Sequence, residues 1–334
     1  MQAWCVTGVG QPKDVIFLQE RDVPEPGLGE VQIKVAVAGM GLPDVLMCKG
    51  EYAFSPQLPF TPGQEVSGVI TAVGEGCTGK VGERVMGVTS FYTGNGSYAQ
   101  YCIAPESTLY PMAPRMSATA AAGFCIPFHT AIAGLKLRAN LQAGEVLLVH
   151  GGAGGSGSAA IQLGKTMGAQ IIAAASSPEK LDYCRSLGAD HCVNYREQDF
   201  SARVLELTEG RGADVIFDPV GGEIFERSVS CTASGGRLLA VGFACGRWGN
   251  ADTGELVMRN CSSIGVFAGA YGHEEMLVSH EELLALYTAG KFSLQPEVAQ
   301  GLESVAEYLT RLERREIQGK VVVAIGDSFD EKYL

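Results

Sequence analysis

No C-x-x-C pair occurs among the ten cysteines, and their scatter from Cys5 to Cys261 lacks the close spacing of a disulfide scaffold. That excludes a stapled secreted domain and leaves reduced thiols, which suit a cytoplasmic location. No apolar run reaches 18 residues, and Met1-Gln2-Ala3-Trp4-Cys5-Val6 has neither the basic stretch nor the apolar core of a signal peptide, so no membrane association is expected. Basic residues are scarce, 25 against 37 acidic ones, for a formal charge of −12. Such a surface repels phosphate backbones, and no nucleic-acid partner is expected unless the few positives cluster. Charged residues are 19% and hydrophobic ones 46%, which excludes wholesale disorder. At 334 residues the chain is long enough for two domains. Glycine is abundant, 44 residues or about twice ordinary usage, which predicts many tight turns and close backbone approaches.

The first third reads as β-rich. Val31-Gln32-Ile33-Lys34-Val35-Ala36-Val37 alternates with period two after the turn residues Pro24, Pro26, Gly27 and Gly29, and further strands are expected near 66–73 and 98–103. From Ser117 the texture becomes an Ala-rich helical run, expected to break at Pro127 and resume through Leu137, before Gly144 punctuates the chain. Then a short apolar strand, a turn and a helix recur, the pattern of a parallel sheet in an α/β fold. Six strands are expected at 146–150, 170–175, 191–193, 214–217, 237–241 and 263–267, a doubly wound Rossmann sheet. Helices at 274–289 and 303–314 and a strand at 320–325 follow, and that last strand is expected to complete the first lobe.

The strongest local signal is Val146 to His150 running into Gly151-Gly152-Ala153-Gly154-Gly155-Ser156-Gly157 and a helix with Ala160, Leu163, Gly164 and Met167 on one face. A strand feeding a glycine turn feeding a helix is dinucleotide-binding geometry, in which glycines admit a pyrophosphate and the helix's free amides stabilise it. An NAD site usually ends its second strand with an acid that binds the ribose; here Ser176 and Ser177 stand there. Hydroxyls admit a 2′-phosphate, and Lys180 one turn later offers an opposing charge, so NADPH is favoured over NADH; the alternative for Lys180 is a solvated surface lysine. Ser177-Pro178 also has the form of a helix cap, and both roles can hold together. Two look-alikes fail. Gly74-Glu75-Gly76-Cys77-Thr78-Gly79-Lys80 has phosphate-loop spacing, but Val81 replaces the magnesium hydroxyl, and a hairpin turn is expected. The stretch 154–158 approaches a nucleophile elbow without its last glycine, so Ser156 is read as a backbone donor.

In order along the chain, Gly50-Glu51-Tyr52, the stretch 59–70 with Gly63-Gln64-Glu65, Val81-Gly82-Glu83-Arg84-Val85, Phe128-His129-Thr130-Ala131, Asp218-Pro219-Val220-Gly221-Gly222, Val241-Gly242-Phe243 and Gly319-Lys320-Val321 resemble the zinc-independent medium-chain dehydrogenase/reductases of the NADPH:quinone oxidoreductase, or zeta-crystallin-like, branch. The resemblance implies a GroES-like catalytic domain over 1–125, completed by 272–334, a Rossmann NADPH-binding domain over 126–271, and a homodimer. It implies that Gly154, Gly155 and Ser156 hold pyrophosphate and that Ser176, Lys180 and Tyr195 surround the 2′-phosphate. Thr130, Gly242, Phe243, Phe267 and Gly269 would line the nicotinamide end, with strand-end core packing the alternative for the two phenylalanines.

Zinc relatives carry Gly-His-Glu where this chain has Gly63-Gln64-Glu65, and they carry a four-cysteine lobe absent here, so no metal is expected. The five histidines are read as structural, none in ligand spacing with another or with a cysteine. Hydride transfer to a quinone or enone builds negative charge on oxygen, and Tyr52 is the candidate donor; the alternative is a loop aromatic packing locally. Many relatives place Asn where Gly41 stands, a departure that enlarges the pocket or shifts polarisation onto Tyr52, and Asp44 is read as a helix cap. Reduction of quinones is the leading function, with alkenal or enone double-bond reduction as the near alternative and an NADPH-binding structural or regulatory protein as the distant one. Some relatives bind RNA, which the charge of −12 argues against. Strand 263–267, as a sheet edge, is expected to pair with its twin in the dimer.

Overall fold

The continuous apolar run Val146–His150 forms a strand buried along its whole length, as a parallel sheet covered on both faces requires. In the computed structural model, which describes residues 1–325, it is one of six parallel strands. Their spatial order is His191–Asn194, Gln170–Ala175, Val146–His150, Ala213–Asp218, Thr232–Ala240 and Ser262–Gly265. Chain order reverses between Val146–His150 and Ala213–Asp218, the switch point at which ligands of such sheets bind. All six expected strands are present. The last ends at Gly265 rather than 267 because its partner ends at Ala240, after which only the Val266 amide reaches back to the Ala240 carbonyl. One core of this unit collects Val146, Leu148, Ile172, Ile216 and Leu238 with Phe200, Val204 and Phe225 from its helices.

The other unit is built on Glu30–Met40, an eleven-residue strand paired antiparallel with Glu65–Val73, Tyr101–Pro105 and Val321–Ala324. Arg84–Val88 and Leu109–Pro111 extend one side of its sheet, and Glu297–Gln300 the other. The closing strand therefore completes the first lobe. The period-two alternation holds only in the first half of Glu30–Met40; from Val35 both faces are buried, because Ala118, Ala122 and Val322 pack against Ala36 and Val37. The strand expected at 98–103 begins later, at Tyr101, because the Tyr98 amide donates to Pro62 and the Gln100 amide to Gln2. Pro127 does not break the helical run. It sits in the first turn of helix Cys125–Ile132, where its missing N–H is not needed, and the break falls between Ala118–Ala122 and that helix.

One unit comprises Met1–Ile126, His280–Thr288 and the chain from Ser293; the other comprises Pro127–Ser279 and Ala289–Phe292. No helix among the described residues is long and apolar enough to cross a membrane. All ten cysteines are free.

Candidate active site

The glycine turn is fixed by backbone contact. Gly151 has φ +57°, its carbonyl accepts the Gly154 amide at 2.8 Å, and a Cβ on Gly157 would lie 2.2 Å from the Gly151 oxygen. Gly154 is the extended N-cap of helix Gly155–Thr166 and brings no side chain to the first-turn amides. Those amides have no intrahelical partner, so the residues present fit a diphosphate group. The phosphate-loop look-alike at 74–80 joins two antiparallel strands as expected, and the Glu106 carboxylate already accepts the Thr78 and Gly79 amides at 2.8 and 2.5 Å.

Ser176 follows the end of Gln170–Ala175, and Ser177 caps the next helix, its hydroxyl 3.4 Å from the Lys180 amide with Pro178 at the first position. Asn194 pairs with Ala175, and the Tyr195 amide donates to the Ala175 carbonyl at 3.2 Å. Ser176 and Tyr195 therefore follow the carboxyl ends of two neighbouring strands, and Lys180 lies in the first turn of the helix after Ser176. The sequence reading passed over Glu179, whose carboxyl is held below its usual range by the Ser177 hydroxyl.

Thr130 is half-buried on helix Cys125–Ile132, and Gly242 and Phe243 lead the loop after Thr232–Ala240. Phe243 lies 4.7 Å from the Trp248 ring, Phe267 is 55% exposed, and Gly269 forms a short turn in which a Cβ would come 2.8 Å from the Phe267 ring. Phe243 is thus half-buried and packed locally, and Phe267 is largely exposed.

In the other unit, Tyr52 is half-buried, edge-on to Phe54 at 5.8 Å and tilted against Phe91 at 6.5 Å. Burial raises its hydroxyl pKa; the Gln64 amide beside it acts in the opposite direction, and the Asp44 charge adds to the rise. Tyr52 thus packs locally against Phe54 and Phe91 with its hydroxyl near Gln64. Asp44 caps its helix as expected, accepting the Gly41 amide at 2.9 Å, but the same oxygen also accepts the buried Tyr98 hydroxyl at 2.9 Å. Burial pushes the Asp44 carboxyl up to about 6 against the opposing effects of Tyr98, Gly41 and Lys320. Two polar atoms here are buried without a hydrogen-bond partner: Oδ1 of Asp44 and Nε2 of Gln64. A Cβ on Gly41 would meet only Pro43 at 3.3 Å and Asp44 at 3.9 Å, so the missing side chain leaves room. Gln64, beside the candidate Tyr52, is a residue the sequence reading used only as an absent histidine. The signal was Gly63, at φ +107°, where a Cβ would lie 2.6 Å from Ser97 Oγ; that close approach pins the 62–64 turn to the 97–98 segment.

One histidine expectation is corrected. Cys125 and His129 stand four apart on one helix, which does put them in ligand spacing on one face. His280 is buried, stacked on Tyr110 at 4.8 Å with Nε2 2.9 Å from the Pro111 carbonyl.

Residues 27–114 match the alcohol dehydrogenase GroES-like domain and residues 155–283 the zinc-binding dehydrogenase domain. A quinone oxidoreductase-like protein 2 homologue of Nematostella vectensis is 36% identical over 305 residues, 89% of this chain and 82% of that protein. The chain belongs to the quinone oxidoreductase family of medium-chain dehydrogenase/reductases. Among solved structures, a mycobacterial protein complexed with NADPH superposes with a TM-score of 0.90 at 30% identity, covering 97% of this chain and 100% of that one. A quinone oxidoreductase of Pseudomonas syringae gives 0.88 at 29% identity, covering 97% and 99%. The zinc in the family model's name finds a poor donor set around Tyr52: Gly41 offers no side chain and Gln64 a neutral amide, where a catalytic zinc takes thiolate or imidazole.

Proposed function

We propose that this quinone oxidoreductase-like protein transfers hydride from NADPH to quinones without a catalytic metal. The observation supporting the cofactor choice is that the ends of Gln170–Ala175 and His191–Asn194 lead into Ser176 and Tyr195, hydroxyl residues and not an acid, with Lys180 in the first turn of the helix that follows Ser176. The reduced nicotinamide supplies hydride when bound, and a quinone taking that hydride and a proton becomes a hydroquinone. Gly154, Gly155 and Ser156 would hold the pyrophosphate through backbone amides, and Ser176, Lys180 and Tyr195 the 2′-phosphate. Thr130, Gly242, Phe243, Phe267 and Gly269 would hold the nicotinamide end. Tyr52 would donate a hydrogen bond to the acceptor oxygen as charge develops there; burial keeps the hydroxyl protonated, and its contacts with Phe54 and Phe91 fix the ring. Gln64 would orient that hydroxyl. We place the protein in the cytoplasm as a homodimer, its subunits paired through the exposed edge strand Ser262–Gly265.

Steady-state NADPH consumption with benzoquinones and with alkenals tests the reading. Quinones are expected to turn over, Tyr52→Phe to lower kcat about a hundredfold, and prolonged chelation to leave the rate unchanged. Turnover of alkenals alone would replace quinone reduction with double-bond reduction, the reading that the space beside Gly41 also accommodates. NADPH binding without turnover of any acceptor would leave a structural or regulatory binding protein.

A further inference from the structure

Asp218 ends the strand Ala213–Asp218 and is fully buried, with no ion-pair partner among the described residues. Its Oδ1 accepts the Val220 amide at 2.7 Å and the Gly221 amide at 3.2 Å, and its Oδ2 approaches the Gly221 amide at 3.3 Å. Its main-chain carbonyl accepts the amides of Val241 at 3.0 Å and Gly242 at 3.3 Å from the neighbouring loop. The two loops are then laced together: Ala244 donates to Pro219 at 3.1 Å and Cys245 to Val220 at 2.9 Å. Their backbones touch where side chains are absent. A Cβ on Gly242 would lie 2.9 Å from the Pro219 oxygen, and one on Gly221, at φ +76°, would lie 3.0 Å from the Phe243 Cα. The same block abuts the glycine turn, since a Cβ on Gly151 would meet Val220 at 3.4 Å and Pro219 at 3.5 Å.

A buried carboxylate facing only backbone amides is destabilising unless those amides are held in place to offset its lost hydration. Burial accordingly pushes this carboxyl up to about 6 while the Val220 and Gly221 amides pull it back. A free surface turn needs no such group. Here the acid sits where two loops and the glycine turn meet, and it satisfies the amides of one loop while its own carbonyl ties down the other.

We infer that Asp218 is the positioning residue that joins the loops after Ala213–Asp218 and Thr232–Ala240 into one rigid block and so fixes where the nicotinamide end rests. The inference relies on the proposed role of Gly242 and Phe243 at that end. Its loop-fastening half is independent of that role, because hydrogen exchange reads it without any nucleotide.

The test compares Asp218→Ala and Asp218→Asn with the parent protein by amide exchange of the free protein, NADPH fluorescence titration and thermal melting. Asp218→Ala is expected to speed exchange at Val220, Gly221, Ala244 and Cys245 and to weaken NADPH binding about thirtyfold. Asp218→Asn keeps one acceptor oxygen, so Val220 is expected to stay protected while Gly221, now facing an amide N–H, exchanges faster, with binding weakened about threefold. A folded Asp218→Ala with parental exchange and parental affinity overturns the inference. If Asp218→Ala fails to fold, Asp218→Asn decides, and unchanged Gly221 exchange in it overturns the inference. Faster exchange with parental NADPH affinity upholds the fastening but removes the nicotinamide end from Gly242 and Phe243, which is the proposed placement failing rather than the block.

Discussion

Asp44 is buried beside Tyr98 with one oxygen unpaired, and its carboxyl sits near 6 rather than at the ordinary value of 3.8. Between those values the folded chain holds a proton that the unfolded chain releases, so this residue's contribution to stability is full below about pH 4 and is lost as the pH rises through about 6. Asn at this position has the same shape and no charge. Urea unfolding at pH 4 and pH 8 is therefore expected to show the stability of Asp44→Asn relative to the parent rising by about 2 to 3 kcal/mol; a pH-independent difference would contradict the burial argument. Lys180 belongs to the same scale. Lys180→Ala is expected to weaken NADPH binding about tenfold and leave NADH binding unchanged, and an equal loss for both nucleotides would remove Lys180 from the 2′-phosphate. Asp44 as a cap was legible because Gly41 and Asp44 are three residues apart. Its bond to Tyr98 spans fifty-four residues, and Gln64 shows its role only once the 62–64 turn is pinned to Ser97. Such pairings are set by tertiary packing, which local sequence does not encode.

The glycine turn has no room for a side chain at its last glycine. A methyl on Gly157 would stand 2.2 Å from the Gly151 carbonyl and 2.9 Å from the Gly152 Cα, so the helix start must move away from the strand. Gly157→Ala is expected to lower NADPH affinity at least tenfold and to lower the melting temperature while far-UV circular dichroism stays parental; parental affinity would show that the turn does not hold pyrophosphate. This element was legible because its signals are local: a continuous apolar strand, glycines three apart and a helical face. All six strands of that sheet were legible for the same reason. Elements whose limits depend on partners were less so. Tyr98 and Gln100 give their amides to other segments and delay the strand at Tyr101, and the helical break falls before Pro127 because the first turn of a helix accommodates proline.

At the scale of the whole molecule, the strand from the carboxyl-terminal part of the chain, Val321–Ala324, pairs with Glu30–Met40. Beside that pairing the buried Lys320 ammonium meets the buried Glu65 carboxylate at 2.7 Å. The similarity in style of strand 320–325 to the first domain pointed to that closure; the ion pair was invisible, because nothing near either residue in sequence announces the other. The exposed edge strand Ser262–Gly265 leads to a whole-molecule prediction: sedimentation at micromolar concentration is expected to give a dimer and Ile264→Pro a monomer, whereas a monomeric parent would contradict edge pairing. The most direct test of the account is a fluorescence titration of the parent protein with NADPH and NADH. Saturable binding of NADPH, at least tenfold tighter than NADH, is expected, and no association with either nucleotide would contradict the assignment of the 151–157 turn and the hydride chemistry built on it.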